Sequence, residues 1–310
     1  MNTTPSMTPM TAPKSTTVLV GKPTYTPSPA MVPISGILAP KILLMGAPGT
    51  GKTWSIATLL QAGLEVFVIF TEPNGLPNLL NVLKQKKIPI DKLHWAYVPP
   101  ISADWATVGD AMKLVNEMNY STLADLKSGI GKGKSNSIMK LLNNLKNFHD
   151  DRTNTDFGDV TDWGYDRALV LDSLSGLNML SIQNTVGLKP TMHQGEWGIA
   201  MNMEEMLINT LISSMSAYFI LLAHVDRNHN EVTSQSIITP SAIGAKLGPK
   251  LGRFFSEVVL AKRVKDQFTW STSELASDVK QSTLPIKDGL EPSFKPIIDT
   301  FNLNIQQIRT

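Results

Sequence analysis

From about residue 34 onward, short apolar runs alternate with longer stretches in which apolar positions recur at helical spacing. Apolar runs bounded by turn-forming residues predict buried strands. The predicted strands are Lys41–Met45, 66–70, 93–98, 168–172, 218–222, 257–261 and 267–270. The first predicted helix ends near residue 61, and four others span 76–86, 103–118, 138–148 and 196–213. A weak helical tail is predicted from about residue 295. The alternation predicts an α/β fold with a mostly parallel twisted sheet flanked by helices.

Composition divides the chain into three parts. Residues 1–33 are rich in Thr, Pro and Ser, with almost no charge, which predicts a disordered or loosely attached arm. Residues 34–290 are predicted to form the main domain, and 291–310 a C-terminal tail. Within the domain, 119–160 reads as an insertion or excursion from the sheet. Its glycine-rich basic loop at 127–134 is open to two interpretations, phosphate binding or plain solvation.

Charge and cysteine content narrow the function classes. The net charge of +2 neither requires nor forbids nucleic acid, since a local basic stripe would be enough. The absence of cysteine excludes disulfides and zinc–thiolate sites. No apolar run approaches the roughly 20 residues that span a bilayer, and no signal peptide is recognisable. We therefore expect a soluble cytoplasmic protein without membrane contact.

One motif carries most of the chemical information. It matches G-x-x-x-x-G-K-[ST], and it lies between the first predicted strand and a predicted helix, as a phosphate-binding loop requires. Its backbone amides are expected to surround a phosphate, with Lys52 on the β- and γ-phosphates and Thr53 on Mg²⁺. The predicted binding residues are Gly46, Ala47, Pro48, Gly49, Thr50, Gly51, Lys52, Thr53 and Trp54. The motif predicts binding of a nucleoside triphosphate, ATP.

Two carboxylates follow other predicted strands. Asp172 ends an apolar strand, as expected of the Walker B carboxylate that binds Mg²⁺. Ser173 follows it, where many P-loop motors have a glutamate that polarises the attacking water. Glu72, after strand 66–70, is a replacement base, because that strand should lie near the first one and ligands bind at this edge of an α/β sheet.

His224 follows the predicted strand 218–222 and one alanine, so it lies at the same predicted edge of the sheet. A polar residue there can sense the γ-phosphate, and an imidazole can donate a hydrogen bond to a phosphate oxygen. A purely structural role is the alternative. The other histidines show no metal-ligand spacing, so no zinc site is predicted.

In this order, these motifs resemble the RecA-type ATPases, and especially the compact phage-encoded RecA-like ATPases of single-strand annealing and recombination. The resemblance covers roughly residues 35–290. It rests on the phosphate loop, Glu72 in 70–73, Asp172 and Ser173 in 171–174, His224 in 223–225, and the segments 248–251 and 252–259. It implies a homo-oligomeric ring or filament with ATP at subunit boundaries, in the host cytoplasm if the protein is phage-encoded.

The resemblance also implies a basic finger from a neighbouring subunit and loops that face DNA. Arg263, taken to follow the strand 257–261, is the candidate finger that would stabilise charge on the transferred phosphoryl group. The candidate loops lie within 174–194, with Lys189 and His193, and within 225–250. The basic residues of the second loop are Arg227, Lys246 and Lys250. Without interleaved aromatics, binding directed at the DNA backbone is expected.

The predicted function is a DNA-stimulated ATPase that acts on single-stranded DNA in phage-type recombination, annealing or replication. A helicase-like or loader motor of the same fold is one alternative. A small-molecule or nucleotide kinase is another, although the stretch 119–160 has a single arginine, Arg152, where kinases usually have an arginine-rich lid. A nucleotide-binding scaffold without catalysis is the third.

Overall fold

The computed structural model describes residues 28–117, 137–187, 192–230, 235–274 and 276–310. Strands and helices alternate along most of this chain. The strands are β1 Lys41–Met45, β2 Glu65–Phe70, β3 Leu93–Tyr97, β4 His149–Asp150, β5 Thr155–Asp156, β6 Arg167–Asp172, β7 Tyr218–Ala223, β8 Val225–Asn230, β9 Gln235–Pro240, β10 Glu257–Val264 and β11 Gln267–Ser271. The helices are α1 Lys52–Ser55, α2 Ala57–Gln61, α3 Gly75–Lys86, α4 Trp105–Glu117, α5 Ser137–Lys146, α6 Leu174–Val186, α7 Gln194–Ser214, α8 Gly244–Leu251 and α9 Lys295–Arg309.

Seven strands form the central sheet in the order β11-β10-β1-β7-β6-β2-β3. Every neighbouring pair is parallel except β10 and β11, which are antiparallel. Helices pack on both faces, so the predicted α/β fold with a mostly parallel sheet is confirmed. One expectation about the order is wrong. The second strand does not lie beside the first, because β7 and β6 separate β2 from β1.

The alternation of side chains along each strand creates two cores. In β1, Leu43 and Met45 face a core shared with α5, α6, α7 and α8. Ile42 and Leu44 face the opposite core, shared with α2, α3 and α9. Both faces of the sheet are therefore buried, which explains why its strands are continuous apolar runs rather than alternating ones.

The first predicted DNA-facing loop is mostly helical. α6 spans Leu174–Val186, and its buried side includes Leu174, Leu177 and Leu180. α7 begins at Gln194, so little of the predicted loop remains between the two helices. The reason is burial: α6 packs against α7 and contributes to the core instead of extending from the sheet. Lys189 lies outside the described residues.

The second predicted loop contains a hairpin and a helix. β8 and β9 pair in antiparallel register, from Val225 opposite Pro240 to Asn230 opposite Gln235. α8 follows at Gly244–Leu251 and buries Leu247 and Leu251 in the core. This segment is therefore a two-stranded ribbon followed by a helix, where the sequence predicts a loop.

Parts of the predicted arm, insertion and tail contact the core. Met31, in a short 3₁₀ helix, packs on the α9 side of the sheet. The second half of the predicted excursion forms α5 and the β4–β5 hairpin, and Phe148 is fully buried. Arm residues 1–27 and the basic loop at 127–134 lie outside the described residues.

α9 is a packed helix of 15 residues, where the sequence predicts a weak helical tail. Ile297, Ile298 and Ile305 are buried against the same core as α2. Just before the helix, the Phe294 backbone N–H donates a hydrogen bond to Thr58 Oγ1 of α2 at 3.0 Å. The C-terminal helix therefore supports the helix that follows the phosphate-loop motif.

None of the helices in the described part of the chain is both long enough and apolar enough to cross a membrane.

Candidate functional site

A cleft of about 460 Å³ opens where β1, β2, β6 and β7 end. Parallel strands present their carboxyl ends at one edge of the sheet, which is where α/β proteins bind ligands. Most of the predicted site lines this cleft: Pro48, Gly49, Thr50, Gly51, Lys52, Thr53, Trp54, Glu72, Asp172 and His224. The exceptions are Gly46 and Ala47 at the start of the motif, and Arg263.

The motif forms a tight turn between β1 and α1. The Gly46 N–H donates to the carbonyl of Ala223 at 3.1 Å, and a Cβ at Gly46 would lie 2.6 Å from the carbonyl oxygen of Ala261. Gly51 has φ of 83°, and a Cβ there would lie 2.6 Å from the ring of Phe268. Both positions therefore require glycine, one for close packing and the other for both packing and backbone conformation.

Lys52 lies folded back on the loop. Its Nζ donates to the carbonyls of Gly46 at 2.7 Å and Ala47 at 3.0 Å. Burial lowers the pKa of Lys52 to about 8, although the charges of Asp172 and Glu72 act to raise it. With 8% of its surface exposed, the ammonium group is held in place next to two carboxylates rather than free in solvent.

Thr53 and Asp172 are in direct contact. The Thr53 hydroxyl donates to Asp172 Oδ2 at 3.0 Å. Burial raises the pKa of Asp172 to about 6, against the lowering effect of the Thr53 hydrogen bond. A hydroxyl beside a carboxylate is a ligand pair that Mg²⁺ uses in phosphate-loop sites. This contact makes the two residues the candidates for holding a cation. No group of three or more His, Asp or Glu side chains that could hold a metal ion lies in the described ranges.

Glu72 reaches the cleft from β2 although two strands separate β2 from β1. The Ser173 hydroxyl donates a hydrogen bond to Glu72 Oε1. Next to it, the Ser173 N–H donates to Thr71 Oγ1 at 2.8 Å, and that hydroxyl donates to the Ser173 carbonyl at 3.0 Å. The end of β2 is thereby fixed to the end of β6, which places Glu72 beside Asp172.

His224 enters the cleft from the end of β7. Its Nδ1 lies 3.5 Å from Lys52 Nζ. Burial, together with the positive charge of Lys52, holds the pKa of His224 below its usual value. A neutral imidazole in this position has one N–H to donate, which is what a sensor of a phosphate oxygen needs.

Arg263 lies elsewhere. It lies near the end of β10, which continues to Val264, three residues beyond the predicted end of this strand. Its side chain lines a second cavity of about 720 Å³ that adjoins the phosphate loop at Ala47 and Thr50. Arg227 of the β8–β9 hairpin lines the same cavity. Arg263 Nε donates to the Lys265 carbonyl at 3.2 Å, and its guanidinium does not reach the cleft of its own subunit.

The other predicted DNA-facing cations are dispersed. Lys246 and Lys250 lie on α8, where Lys246 is exposed and Lys250 half-buried. His193 is the N-cap of α7, and its backbone N–H donates to Glu196 Oε2 at 2.8 Å. The structure thus assigns His193 a helix-capping role.

Several cleft residues are absent from the sequence prediction. Asn74, Asn78 and Asn81 line it from α3, and Phe268 lines it from β11. The spacing of the asparagines could have indicated their common location, since helix positions separated by three or four residues share one face. Phe268 gave no such signal, because only the pairing of β11 with β10 brings it to the loop.

Comparisons with known proteins add nothing to this geometry: no protein-family model matches the chain, and no curated protein matches it either.

Proposed function

We propose that this chain is an ATP-binding and ATP-hydrolysing enzyme with a RecA-like core. The observation that carries the proposal is the convergence of Lys52, Glu72, Asp172 and His224 on one cleft around a glycine-rich loop. These side chains follow four different strands, yet each occupies the edge where a bound phosphate would meet the start of α1. If the match to the loop motif were fortuitous, these four side chains would not be expected to line the same cleft.

The residues fit a triphosphate with Mg²⁺. The Lys52 ammonium donates to two loop carbonyls and lies 3.5 Å from His224 Nδ1, so a phosphate can replace these carbonyls as acceptor. When bound, Mg²⁺ would be held by Thr53 and Asp172 and would neutralise charge on the phosphates. Glu72 orients the attacking water by accepting its proton in a hydrogen bond, and the Ser173 hydroxyl keeps that carboxylate in position. His224 donates to the terminal phosphate and thereby links its presence to β8.

The strand order supports the RecA-like assignment within the P-loop class. In the dinucleotide-binding fold, the second strand lies directly beside the first. Here β6 and β7 lie between β1 and β2, which brings Asp172 and His224 next to the loop strand. This arrangement suits an enzyme that needs a metal-binding carboxylate and a sensor close to the phosphates.

Single-stranded DNA is the polymer we propose as partner, acting in phage-type recombination, annealing or replication. Arg227 lines a cavity beside the loop, and Lys246 is exposed on the neighbouring helix. Such cations favour contact with the phosphate backbone, which is independent of sequence and weakens with salt. We also propose a homo-oligomer in which Arg263 completes the ATP site of an adjacent subunit, since it does not reach its own.

The test compares Lys52→Ala with wild type for ATP binding and phosphate release. Lys146→Ala is the matched control, because Lys146 is an exposed lysine at the end of α5. We expect Lys52→Ala to lose binding or hydrolysis and the control to keep both. Equal ATP turnover by wild type and Lys52→Ala would refute the enzymatic proposal.

The DNA proposal has its own readout. Phosphate release by wild type is measured with and without single-stranded DNA at several salt concentrations. We expect stimulation that declines as salt rises, because backbone contacts release counterions. Turnover that is unaffected by DNA at low salt would remove DNA from the proposal and leave the ATPase assignment intact.

A further inference from the structure

Three asparagines form a polar row along one wall of the cleft. Asn74 caps α3, and Asn78 and Asn81 follow it at helical spacing, so all three lie on one side of that helix. All three side chains are exposed and line the cleft. They make no side-chain hydrogen bond within the described ranges of the chain, and no contact of the fold explains them. Amides gathered in this way are free to bind a ligand.

An aromatic ring lies at the far end of this wall. Trp54 follows Thr53, and its ring contacts Lys86, the last residue of α3, whose Nζ is 3.8 Å from the ring centroid. The ring of Phe268 approaches Trp54 edge-on at 6.0 Å between centroids. From Asn74 to Lys86 the helix rises by about 18 Å, at roughly 1.5 Å per residue. The cleft therefore changes along α3 from carboxylates at Glu72 to an aromatic surface at Trp54.

We propose that this wall reads the base of the bound nucleotide and favours adenine over guanine. The inference rests on the proposed ATP binding and specifies the part of the ligand that lies away from the phosphates. With the phosphates at Lys52, the base extends along α3 toward Trp54, past Asn78 and Asn81. These two amides are the base-reading residues, and Asn74 lies nearer to Glu72.

The amide chemistry gives the direction of the preference. An asparagine side chain offers one acceptor and two donors in a fixed arrangement. Adenine presents a donor and an acceptor side by side, at its exocyclic amine and N7, and an amide pairs with both. Guanine presents two acceptors on the same edge, so the amide oxygen would face a base oxygen. Arg or Lys normally reads that pattern, and among the described residues that line the cleft the only such side chain is Lys52, at the loop.

Trp54 supplies affinity without selectivity. Lys86 Nζ lies over one face of the indole, and the proposed stacking of the base uses the opposite face. Stacking on an aromatic ring tolerates any base, since every base has a π-face. Trp54 should therefore strengthen binding of all nucleotides, whereas the asparagines should separate them.

The test measures equilibrium dissociation constants for ATP, GTP and inorganic triphosphate. Wild type is compared with Asn78→Ala/Asn81→Ala, with Trp54→Ala, and with Asn209→Ala as control. Asn209 is an exposed asparagine on α7 that does not line the cleft. Circular dichroism and thermal unfolding confirm that each variant is folded.

We expect wild type to prefer ATP over GTP by about 5- to 100-fold, the range of one good bidentate amide–base pair. The asparagine variant should lose most of this preference and still bind inorganic triphosphate as wild type does. Trp54→Ala should weaken ATP and GTP alike, by about fivefold or more, and leave triphosphate unchanged. The Asn209→Ala control should match wild type throughout.

Two results would overturn the inference in distinguishable ways. Equal affinity of wild type for ATP and GTP, or a preference that survives in the asparagine variant, would refute base reading and leave nucleotide binding standing. Binding of neither nucleotide nor triphosphate by folded wild type would refute the proposed function as well.

Discussion

The Thr53 hydroxyl donates a hydrogen bond to Asp172 across 3.0 Å, although the two residues are 119 positions apart in the chain. The contact joins the start of α1 to the end of β6. It places the hydroxyl and the carboxylate that a magnesium ion would share within direct reach of each other. The order of strands in the sheet, and not the local sequence, brings these two residues together.

Replacement of Asp172 by Asn tests the metal role. Asp172→Asn keeps the shape of the side chain and removes its charge, so Mg²⁺ should be held more weakly. We expect phosphate release to fall about 100-fold and half-saturation to need more Mg²⁺. Titration of phosphate release against Mg²⁺ checks this. Asp162→Asn, at an exposed aspartate, is the control and should behave as wild type. An unchanged Mg²⁺ requirement in Asp172→Asn would contradict the assignment.

Glu72 and Ser173 allow catalysis and positioning to be separated. Glu72→Gln should leave ATP binding intact and slow hydrolysis by about 100-fold or more, because the amide is a poor base. Ser173→Ala removes only the hydroxyl that holds Glu72, so a reduction of a few-fold is expected. Single-turnover hydrolysis with a separate binding measurement distinguishes the two. Wild-type hydrolysis by Glu72→Gln would show that the base is another residue.

Arg263 can be tested by mixing inactive proteins. If Arg263 acts on the site of a neighbouring subunit, Arg263→Ala retains an intact cleft, and Lys52→Ala retains an intact finger. We expect each variant alone to be weakly active and their mixture to recover part of the ATPase rate. Arg253→Ala mixed with Lys52→Ala serves as reference, since Arg253 is exposed on another segment. A mixture no more active than the sum of its components would argue against a shared site.

Glu204 should make stability depend on pH. Its side chain is fully buried in α7, and neither carboxylate oxygen has a hydrogen-bond partner in the part of the chain that the structure describes. Burial raises the pKa of Glu204 to about 8. The unfolded chain ionises at lower pH than the folded one, so stability should decline as pH rises from about 4 to 8. Glu204→Gln should abolish this decline and be more stable than wild type at pH 9, by on the order of 1–4 kcal/mol.

Urea unfolding from pH 5 to pH 9 measures the effect. Glu205→Gln is the neighbouring control, because Glu205 is only partly buried and pairs with the exposed Arg253. Parallel stability curves for wild type and Glu204→Gln would mean that Glu204 is not protonated in the folded protein.

The buried hydrogen bonds around His94 should make the stability of the fold depend on pH in the acidic range. His94 lies between two carboxylates, with Nδ1 3.0 Å from Asp150 and Nε2 3.2 Å from Glu65. Burial alone would raise the pKa of Asp150, but hydrogen bonds from His94 and Thr153 hold it below its usual value. A carboxyl group with a lowered pKa stabilises the fold above its unfolded pKa, and this stabilisation is lost as pH falls.

Asp150→Asn should therefore cost about 1–3 kcal/mol at pH 7 and flatten the acid limb of the stability curve below about pH 4. Unfolding free energies of wild type and variant between pH 2 and pH 7 provide the measurement. A variant with the wild-type acid limb would show that Asp150 does not carry the lowered pKa.

Local chemistry was readable from the sequence, whereas strand order was not. The bounds of β1 match the prediction, and Lys52, Glu72, Asp172 and His224 meet as expected. The insertion of β6 and β7 beside β1 depends on long crossovers, which leave no local pattern. α6 was missed because a helix buried on many sides lacks a polar stripe. The β8–β9 hairpin was missed because β8 is mostly polar.

The packing of α9 on α2 has a practical consequence for fragment design. A fragment that stops before Phe294 would keep every residue of the cleft and still expose the apolar surface that Ile297, Ile298 and Ile305 cover. It would also lose the constraint that Phe294 places on Thr58, a few residues behind the phosphate loop. Truncated proteins that fail to bind nucleotide would therefore report a lost scaffold rather than a lost ligand contact.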